Sequence, residues 1–361
     1  MDDIVSGGTA AKPGASAKSS ARAARAPAVK TVNLALQGGG AHGAFTWGVL
    51  DRLLEEEGIA FEGISATSAG AMNAAVVAYG LAIGGREGGR KALTNYWRRI
   101  SHAAQSSPLQ PSPIDRMLKD HSLRFSPAFM ILDIMTRLLS PYELNPMNLN
   151  PLRDVVQQSV DFSVLNSKDN PIKLFLSATN VRTGKVKIFE QGELSVDAAL
   201  ASACLPFMFQ AVEIDGEAYW DGGYMGNPAL YPLIYSCESS DIVIVHINPL
   251  ARKEIPKTAA DILNRINEIS FNSSLMREMR AISFVTKLID QQLLDAKHVR
   301  IHGISDDELM TGLGVASKMN ADWEFITHLR DVGRKRADEW LTQNFARVGT
   351  ESTVDIHAKF L

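Results

Sequence analysis

Three short stretches of the sequence combine residue types that could perform nucleophilic chemistry. The first is a glycine-rich run, Gly38-Gly39-Gly40-Ala41-His42-Gly43, which separates a short apolar segment from helically spaced apolar residues. Main-chain amides in such a turn can converge on an anion, and the positive end of the following helix favours negative charge there. The run therefore predicts an anion site.

The same glycines also match the G-x-G-x-x-G pattern of a dinucleotide site. Glu62 follows at about the spacing expected for the acid that binds a ribose hydroxyl. On its own, the glycine run leaves a nucleotide-binding protein open.

A serine at a strand-to-helix turn is the candidate nucleophile. The stretch Ala66-Thr67-Ser68-Ala69-Gly70 follows a short apolar segment and opens a helix rich in small residues, which is the setting of a nucleophile elbow. Small neighbours leave the Ser68 hydroxyl exposed, and Ala66 replaces the first glycine of the usual G-x-S-x-G. Taken alone, the stretch also fits an ordinary serine N-cap.

An aspartate at the end of a predicted hairpin is the candidate base. Asp215-Gly216 lies between two strand-like runs and predicts a two-residue hairpin turn. The second strand ends at Asp221, and Gly222 and Gly223 allow a sharp turn beside it. A carboxylate displayed there could accept the serine proton directly, although a simple turn aspartate would have the same local sequence.

Histidine is the alternative base, because a conventional triad carries one after the acid. The downstream histidines are His246, which ends an apolar strand and is the best of them, and His298, His302, His328 and His357. A histidine that closes a strand is more often structural, so Asp221 is favoured.

The elements around these motifs alternate between strand and helix. Strands are predicted to start at Val32 and Gly63, and others at 173–179, 186–189 and 241–247. This alternation predicts a mainly parallel sheet that is covered by helices on both faces.

Two other regions lack this alternation. Residues 125–139 have amphipathic spacing, typical of a buried helix and equally of a lid, an acyl-chain wall or an interfacial helix. After residue 251 the pattern is helical and charged, with no further strand expected until Thr353–Ile356.

Composition excludes several classes of protein. The 361 residues carry 37 Lys+Arg against 40 Asp+Glu, so no basic surface for nucleic acid is indicated. The two cysteines, Cys204 and Cys237, lie outside metal or redox spacings. We therefore expect no metal and a cytoplasmic location. No run reaches the ~18 to 20 apolar residues of a membrane span, and the Ala, Ser, Lys and Arg of residues 1–30 predict a disordered tail.

In their order and setting, the glycine run, the serine turn and Asp221-Gly222-Gly223 resemble the bacterial branch of the patatin-like phospholipase family. The resemblance extends from Val32 to about Pro249 and includes the stretches 178–184 and 201–207. It implies an α/β protein with a three-layer α/β/α patatin-like fold, a catalytic domain over 31–250 and a helical C-terminal region over 251–361.

The resemblance also implies the chemistry. Ser68 and Asp221 would form a catalytic dyad, and the loop amides from Gly38 to Gly43 would form the oxyanion hole, with no cofactor. His42 stands where the family usually has Arg or Lys, so the charge beside the anion site would depend on pH.

The expected function is a serine acyl hydrolase that cleaves lipid esters, phospholipids foremost, in lipid catabolism. A soluble esterase or thioesterase is the alternative within the same fold. A nucleotide-binding protein that uses the Gly38–Gly43 loop and a non-catalytic lipid-binding scaffold are the alternatives outside it. Peripheral contact with a membrane and the oligomeric state are left open by the sequence.

Overall fold

The computed structural model describes residues 7–9, 29–118 and 121–361. Most of the tail predicted for residues 1–30, namely 1–6 and 10–28, lies outside the described residues. Lys30, the last residue of that predicted tail, begins the first strand. Its ammonium donates to the main-chain oxygens of Phe345, Ala346 and Val348.

The described residues contain eight strands, which form one central sheet. They are β1 (Lys30–Leu36), β2 (Ile59–Ala66), β3 (Lys173–Asn180), β4 (Val186–Phe189), β5 (Val212–Ile214), β6 (Glu217–Asp221), β7 (Asp241–Val245) and β8 (Arg300–Ile304).

Fourteen α-helical segments are found in the described chain. They are α1 (Gly43–Leu53), α2 (Ala69–Gln105), α3 (Pro113–Leu118), α4 (Pro127–Leu138), α5 (Pro141–Leu144), α6 (Pro151–Ser159), α7 (Phe162–Leu165), α8 (Val196–Ser202), α9 (Tyr231–Ser236), α10 (Ala259–Asp290), α11 (Asp307–Gly312), α12 (Val315–Lys318), α13 (Trp323–Asn344) and α14 (Ile356–Phe360).

The sheet is parallel at its centre and antiparallel at one side. Hydrogen-bonded neighbours run in the order β5-β6-β3-β2-β1-β7-β8, and β4 adds to β3. The pairs among β3, β2, β1, β7 and β8 are parallel, whereas β3 pairs antiparallel with β4 and β6. The mainly parallel sheet predicted from the sequence is confirmed.

Alternate side chains of the central strands pack against two different layers. In β1, Leu34 and Leu36 join a core with α1, α2 and α13, whereas Ala35 points into a second core with α9, α10 and α14. In β7, Val243 and Ile244 divide in the same way. Because successive strand residues face opposite sides of a sheet, this division establishes the three layers.

The helices α1 and α13 approach each other unusually closely. A side chain on Gly48 would collide with the carbonyl of Arg330, and one on Gly333 with the carbonyl of Phe45. Glycines at both crossing points let the two backbones meet, so the helix formed by residues 323–344 packs directly on the helix that follows the glycine-rich loop.

Two predicted features differ from the structure. Thr353–Ile356 forms no strand; the last strand is instead β8, a five-residue segment that pairs in parallel with β7. It was missed because its short sequence, Arg-Ile-His-Gly-Ile, is half polar and lies between charged helices.

The helix predicted within residues 125–139 is present as α4, but the buried version of that prediction is wrong. No residue of α4 is buried, and its exposed apolar side chains include Ile131 at 62 % and Leu138 at 73 %. The apolar spacing therefore marks an uncovered surface of the protein.

Candidate active site

The candidate nucleophile lies on a strained turn between β2 and α2. Ser68 has φ 56° and ψ −125°, a conformation that residues other than glycine rarely adopt and that costs about 1–3 kcal/mol. Its amide donates to the Ser202 hydroxyl at 2.9 Å, and the Thr67 hydroxyl donates to the Gly226 carbonyl at 2.5 Å. These bonds over-determine the turn, as a nucleophile elbow requires.

Small residues of the elbow are needed because β1 lies directly alongside. Ala66 pairs with Leu36 of β1, and a side chain on Gly70 would collide with the Leu36 carbonyl. The elbow residue Ala66 is fully buried at the end of β2, where it has ordinary strand pairing. Alanine in place of the usual first glycine therefore causes no strain at that position.

The glycine-rich loop packs against the elbow at both of its ends. A side chain on Gly38 would come within 2.5 Å of the Ser68 Cβ and 2.8 Å of the Thr67 carbonyl. A side chain on Gly43 would come within 2.8 Å of the Ala69 Cβ. The glycine-rich loop and the Ser68 turn thus pack directly against each other.

Replacing Gly38 by alanine is expected to displace the nucleophile. The added methyl group has room only if Ser68 or Thr67 moves, and a displacement of about 1 Å costs roughly 10²-fold in rate. We expect at least this loss in kcat for ester hydrolysis. The matched control is Gly312→Ala, since a side chain on Gly312 would meet open space; equal kcat values for the two variants would contradict the packing argument.

The six loop amides divide into three that the fold uses and three that are free. The His42 amide donates to the Gly39 carbonyl at 3.3 Å, and the Gly43 amide donates to the carbonyls of Gly40 and Ala41. The Gly38 amide donates to the Asn227 side chain at 2.7 Å. Within the described part of the chain, no hydrogen bond engages the amides of Gly39, Gly40 and Ala41. Of the residues predicted for an oxyanion hole, Gly39, Gly40 and Ala41 therefore offer free donors, whereas the amides of Gly38, His42 and Gly43 hold the loop in place.

A buried hydrogen-bond network around Gln37 and Asn248 holds the glycine-rich loop in place. The side-chain Oε1 of Gln37 accepts from the amides of Ile247 and Asn248 at 3.0 and 3.1 Å. The Asn248 amide group donates to the Gly38 carbonyl at 2.7 Å. The sequence prediction missed these residues, because their partners are about 190 to 210 positions apart and no spacing rule links them.

The register of β3 explains how Asp221 reaches Ser68. One edge of β3 carries β4, and the other pairs first with β2, where Leu176 is opposite Ala66, and then with β6, where Ala178 is opposite Asp221. The hairpin strand β6 therefore occupies the place that β2 leaves at the elbow. The predicted hairpin turn at Asp215-Gly216 is confirmed, with φ of 51° and 81°.

Asp221 is fully buried with one of its carboxylate oxygens unpaired. Its Oδ1 accepts from the Gly223 amide at 2.7 Å, whereas its Oδ2 has no hydrogen-bond partner among the described residues. A side chain on Gly222 would collide with the Ser177 carbonyl, so the turn after the aspartate also depends on glycine. The free oxygen is available to accept a proton.

Burial raises the pKa of Asp221 to about 6, and the Gly223 amide, the nearby Ser68 hydroxyl and the charge of Lys318 limit the rise. No fully formed hydrogen bond joins Ser68 to the carboxylate, but the hydroxyl lies close enough to favour its ionised form. A carboxylate with a pKa near 6 is ionised at neutral pH and is a stronger base than an exposed aspartate.

His42 does not supply the pH-dependent charge that its place in the loop suggested. Its ring is buried, its Nε2 lies 2.8 Å from the Ser317 hydroxyl, and burial, followed by the charge of Lys318, lowers its pKa well below the ordinary value. The imidazole is therefore neutral around neutral pH.

The alternative base, His246, has no connection to the nucleophile. Both of its ring nitrogens lack a hydrogen-bond partner among residues 29–118 and 121–361, and its ring lies 5.8 Å from the ring of Phe360. Burial lowers its pKa to about 3, so its imidazole is neutral and only weakly basic at neutral pH.

The structure also argues against a dinucleotide site, because Glu62, the acid expected to bind a ribose hydroxyl, is already engaged. Glu62 accepts from the amides of Glu238 and Ser239 at 2.7 and 2.8 Å and from the Lys173 ammonium at 2.9 Å. These bonds occupy the carboxylate that a ribose would need.

Neither a metal site nor a membrane-spanning helix is found in the part of the chain that the structure describes. No group of three metal-ligating side chains comes together there, and no helix there has the length and apolar character to cross a bilayer.

Comparison with known proteins identifies the family. The fold is similar to VipD from Legionella pneumophila (15% identity, TM-score 0.35, 84% of this chain and 67% of that chain). It is also similar to the ExoU–SpcU complex from Pseudomonas aeruginosa (17% identity, TM-score 0.40, 90% of this chain and 53% of that chain). The present chain thus spans about half the length of the matched chain of that complex. The search of curated proteins found no match to the sequence of the present chain. The sequence model of the patatin-like phospholipases matches residues 34–234, which include the glycine-rich loop, the serine elbow and the Asp-Gly-Gly turn; the chain belongs to the patatin-like phospholipase family.

Proposed function

We propose that this protein is a serine acyl hydrolase that cleaves ester bonds of lipids, phospholipids foremost, as part of lipid breakdown. The observation that carries the proposal is the strained Ser68 next to a buried Asp221 with a free oxygen. A structural N-cap serine would need neither the strained backbone nor a buried, half-paired carboxylate. Family membership supports the same substrate class.

The proposed reaction uses two carboxylate-assisted steps. Asp221 takes the Ser68 proton through Oδ2 as the serine oxygen attacks the ester carbonyl, and the amides of Gly39 and Gly40 stabilise the resulting oxyanion. Protonation of the leaving alcohol by Asp221 gives an acyl-serine. Water, deprotonated by the same carboxylate, then releases the fatty acid and regenerates Ser68.

The surface beside the site favours a lipid aggregate as substrate. The exposed helix α4 leads into α5, and Tyr142 of α5 and Asn145, the next residue after this helix, accept hydrogen bonds from Ala211 and Gln210 in the segment before β5. The chain that leads into this segment is attached to the site, because the Cys204 carbonyl accepts from the Asp221 amide at 2.7 Å. The exposed apolar side chains of α4 would thus offer lipid a surface that is connected, through α5 and the segment before β5, to the chain at Asp221.

A fluorophosphonate probe tests the proposed nucleophile. We expect the purified protein to react with the probe and the adduct to map by mass spectrometry to the peptide that contains Ser68, because only an activated serine attacks such a reagent at a useful rate. p-Nitrophenyl esters of several chain lengths should be hydrolysed in the same preparation. Absence of both labelling and hydrolysis would refute the proposal.

The alternatives predict different results in two simple assays. A soluble esterase would hydrolyse monomeric esters but not phospholipid vesicles. A lipid-binding scaffold would bind vesicles without turnover, and a nucleotide-binding protein would give heat with NAD or NADP in calorimetry.

A further inference from the structure

We propose that Lys318 is a positioning residue of the reaction, supplying the fixed positive charge behind the glycine-rich loop and beside Asp221. The inference rests on the proposed function and extends it to a residue well beyond the family match at residues 34–234. Lys318 is the last residue of α12, a short helix to which sequence reasoning assigned no role.

The helix α12 supports the glycine-rich loop at two points. A side chain on Gly40 would collide with the main-chain carbonyl of Lys318, so the backbones of loop and helix are in direct contact. One residue earlier, the Ser317 hydroxyl lies 2.8 Å from His42 Nε2. The segment that carries Lys318 therefore packs directly against the loop whose free amides would form the proposed oxyanion site.

The ammonium of Lys318 is fixed between the two halves of the site. It donates to Asn248 Oδ1 at 3.0 Å, and Asn248 in turn donates to the Gly38 carbonyl at 2.7 Å. It also lies 5.9 Å from the centre of the Phe271 ring, which borders Gly223 in the Asp221 turn. Lys318 as a residue is only partly buried, but its ammonium is enclosed by these neighbours.

The other charged groups near Lys318 leave Asp221 as the unpaired acid on which its positive charge acts. Glu268, the nearest acid on α10, is already paired with Arg252 and Arg265 at 2.5 and 3.2 Å. Asp221 is the other acid that acts on the Lys318 ammonium, and it has no arginine or lysine pair of its own among the described residues. His42 is neutral, so it does not compete as a cation.

The groups that act on Asp221 can also be named. They are the Gly223 amide, the Ser68 hydroxyl and the Lys318 ammonium. Asp221 acts in turn on the Cys204 and Tyr224 side chains, and burial followed by this charge raises the pKa of each to about 12. Cys204 and Tyr224 are therefore uncharged at neutral pH. Lys318 is the charged group among those that act on Asp221, so loss of its charge should raise the pKa of the Asp221 carboxylate.

The test compares Lys318→Met and Lys318→Arg with the wild type in pH profiles of ester hydrolysis. Methionine keeps the length of the side chain without its charge, so we expect kcat to fall roughly tenfold or more. We also expect the acidic limb of kcat/KM to move to higher pH, because a carboxylate that loses a neighbouring cation binds its proton more tightly. Arginine should restore both properties. The control is Lys335→Met, which removes an exposed lysine of α13.

The alkaline limb gives an independent measurement that does not need the methionine variant to fold. Burial lowers the pKa of Lys318, so wild-type activity should decline when this ammonium loses its proton. Arginine stays charged throughout, so Lys318→Arg should retain activity at that pH. A merely structural lysine would leave both limbs unmoved.

The results separate this inference from the proposed function. A wild type that is active through Ser68, together with a folded Lys318→Met variant of unchanged profile or a Lys318→Arg variant with the wild-type alkaline limb, would overturn the role of Lys318 alone. A wild type that neither labels nor hydrolyses esters would overturn both.

Discussion

Replacement of Ser68 by alanine is expected to abolish ester hydrolysis and fluorophosphonate labelling. No other hydroxyl combines a strained turn, contact with the glycine-rich loop and a nearby buried carboxylate within the described residues. Loss of a catalytic serine lowers kcat by about 10⁶-fold in a well-studied serine protease, and we expect at least ~10⁴-fold here. The measurement is turnover of a p-nitrophenyl ester by the purified variant.

Ser106→Ala is the matched control for this variant. Ser106 is exposed and lies at the opposite end of the same helix, α2, where its hydroxyl donates only to the Ala103 carbonyl. The control should label and turn over like the wild type. Activity that survives in Ser68→Ala would move the nucleophile elsewhere.

Replacement of Asp221 by asparagine is expected to lower kcat/KM by about 10²- to 10⁴-fold, the usual contribution of a general base. The amide has nearly the same shape but cannot accept the serine proton. Asp215→Asn, an exposed substitution at the turn of the same hairpin, should leave kcat/KM unchanged. Near-normal turnover by Asp221→Asn would exclude this carboxylate as the base.

The pH profile and the stability of Asp221→Asn give two further readouts of the same change. Wild-type kcat/KM should fall about tenfold per pH unit below about pH 6, where the carboxylate becomes protonated, and the asparagine variant should lack this limb. Burial raises the pKa of Asp221 above its value in the unfolded chain. The free energy of unfolding therefore falls as the pH rises towards about 6, and it stays lower at neutral pH, where the buried carboxylate is ionised. The variant should therefore melt at or above the wild-type temperature at neutral pH, which separates lost chemistry from lost folding.

The parts of the site that could be predicted are those that local sequence encodes. Three glycines, a serine between small residues and an Asp-Gly turn each fix backbone geometry within a few positions, so the loop, the elbow and the hairpin are found where the sequence predicts them. The roles of Ser68 and Asp221 in catalysis stay predictions until the variants are measured.

The missed parts depend on contacts between residues far apart in the chain. The Gln37 and Asn248 network forms because β1 and β7 are neighbours in the sheet, and nothing in either stretch indicates the other. Lys318 is one of many lysines in a charged helical region, and only the folded chain shows that its ammonium lies beside the loop. Apolar periodicity likewise predicts the helix α4 but not whether other parts of the chain bury its apolar face.

The contact between α1 and α13 has a consequence for the order in which the protein is assembled during synthesis. The glycine-rich loop leads into α1, and the close crossing of α1 needs Gly333, nearly 300 residues further along the chain. Contacts of such long sequence separation form late and slow folding. A growing chain on the ribosome therefore carries Ser68 long before α13 is available to pack on α1, and we expect the hydrolysis proposed for Ser68 to require synthesis of the chain through Gly333.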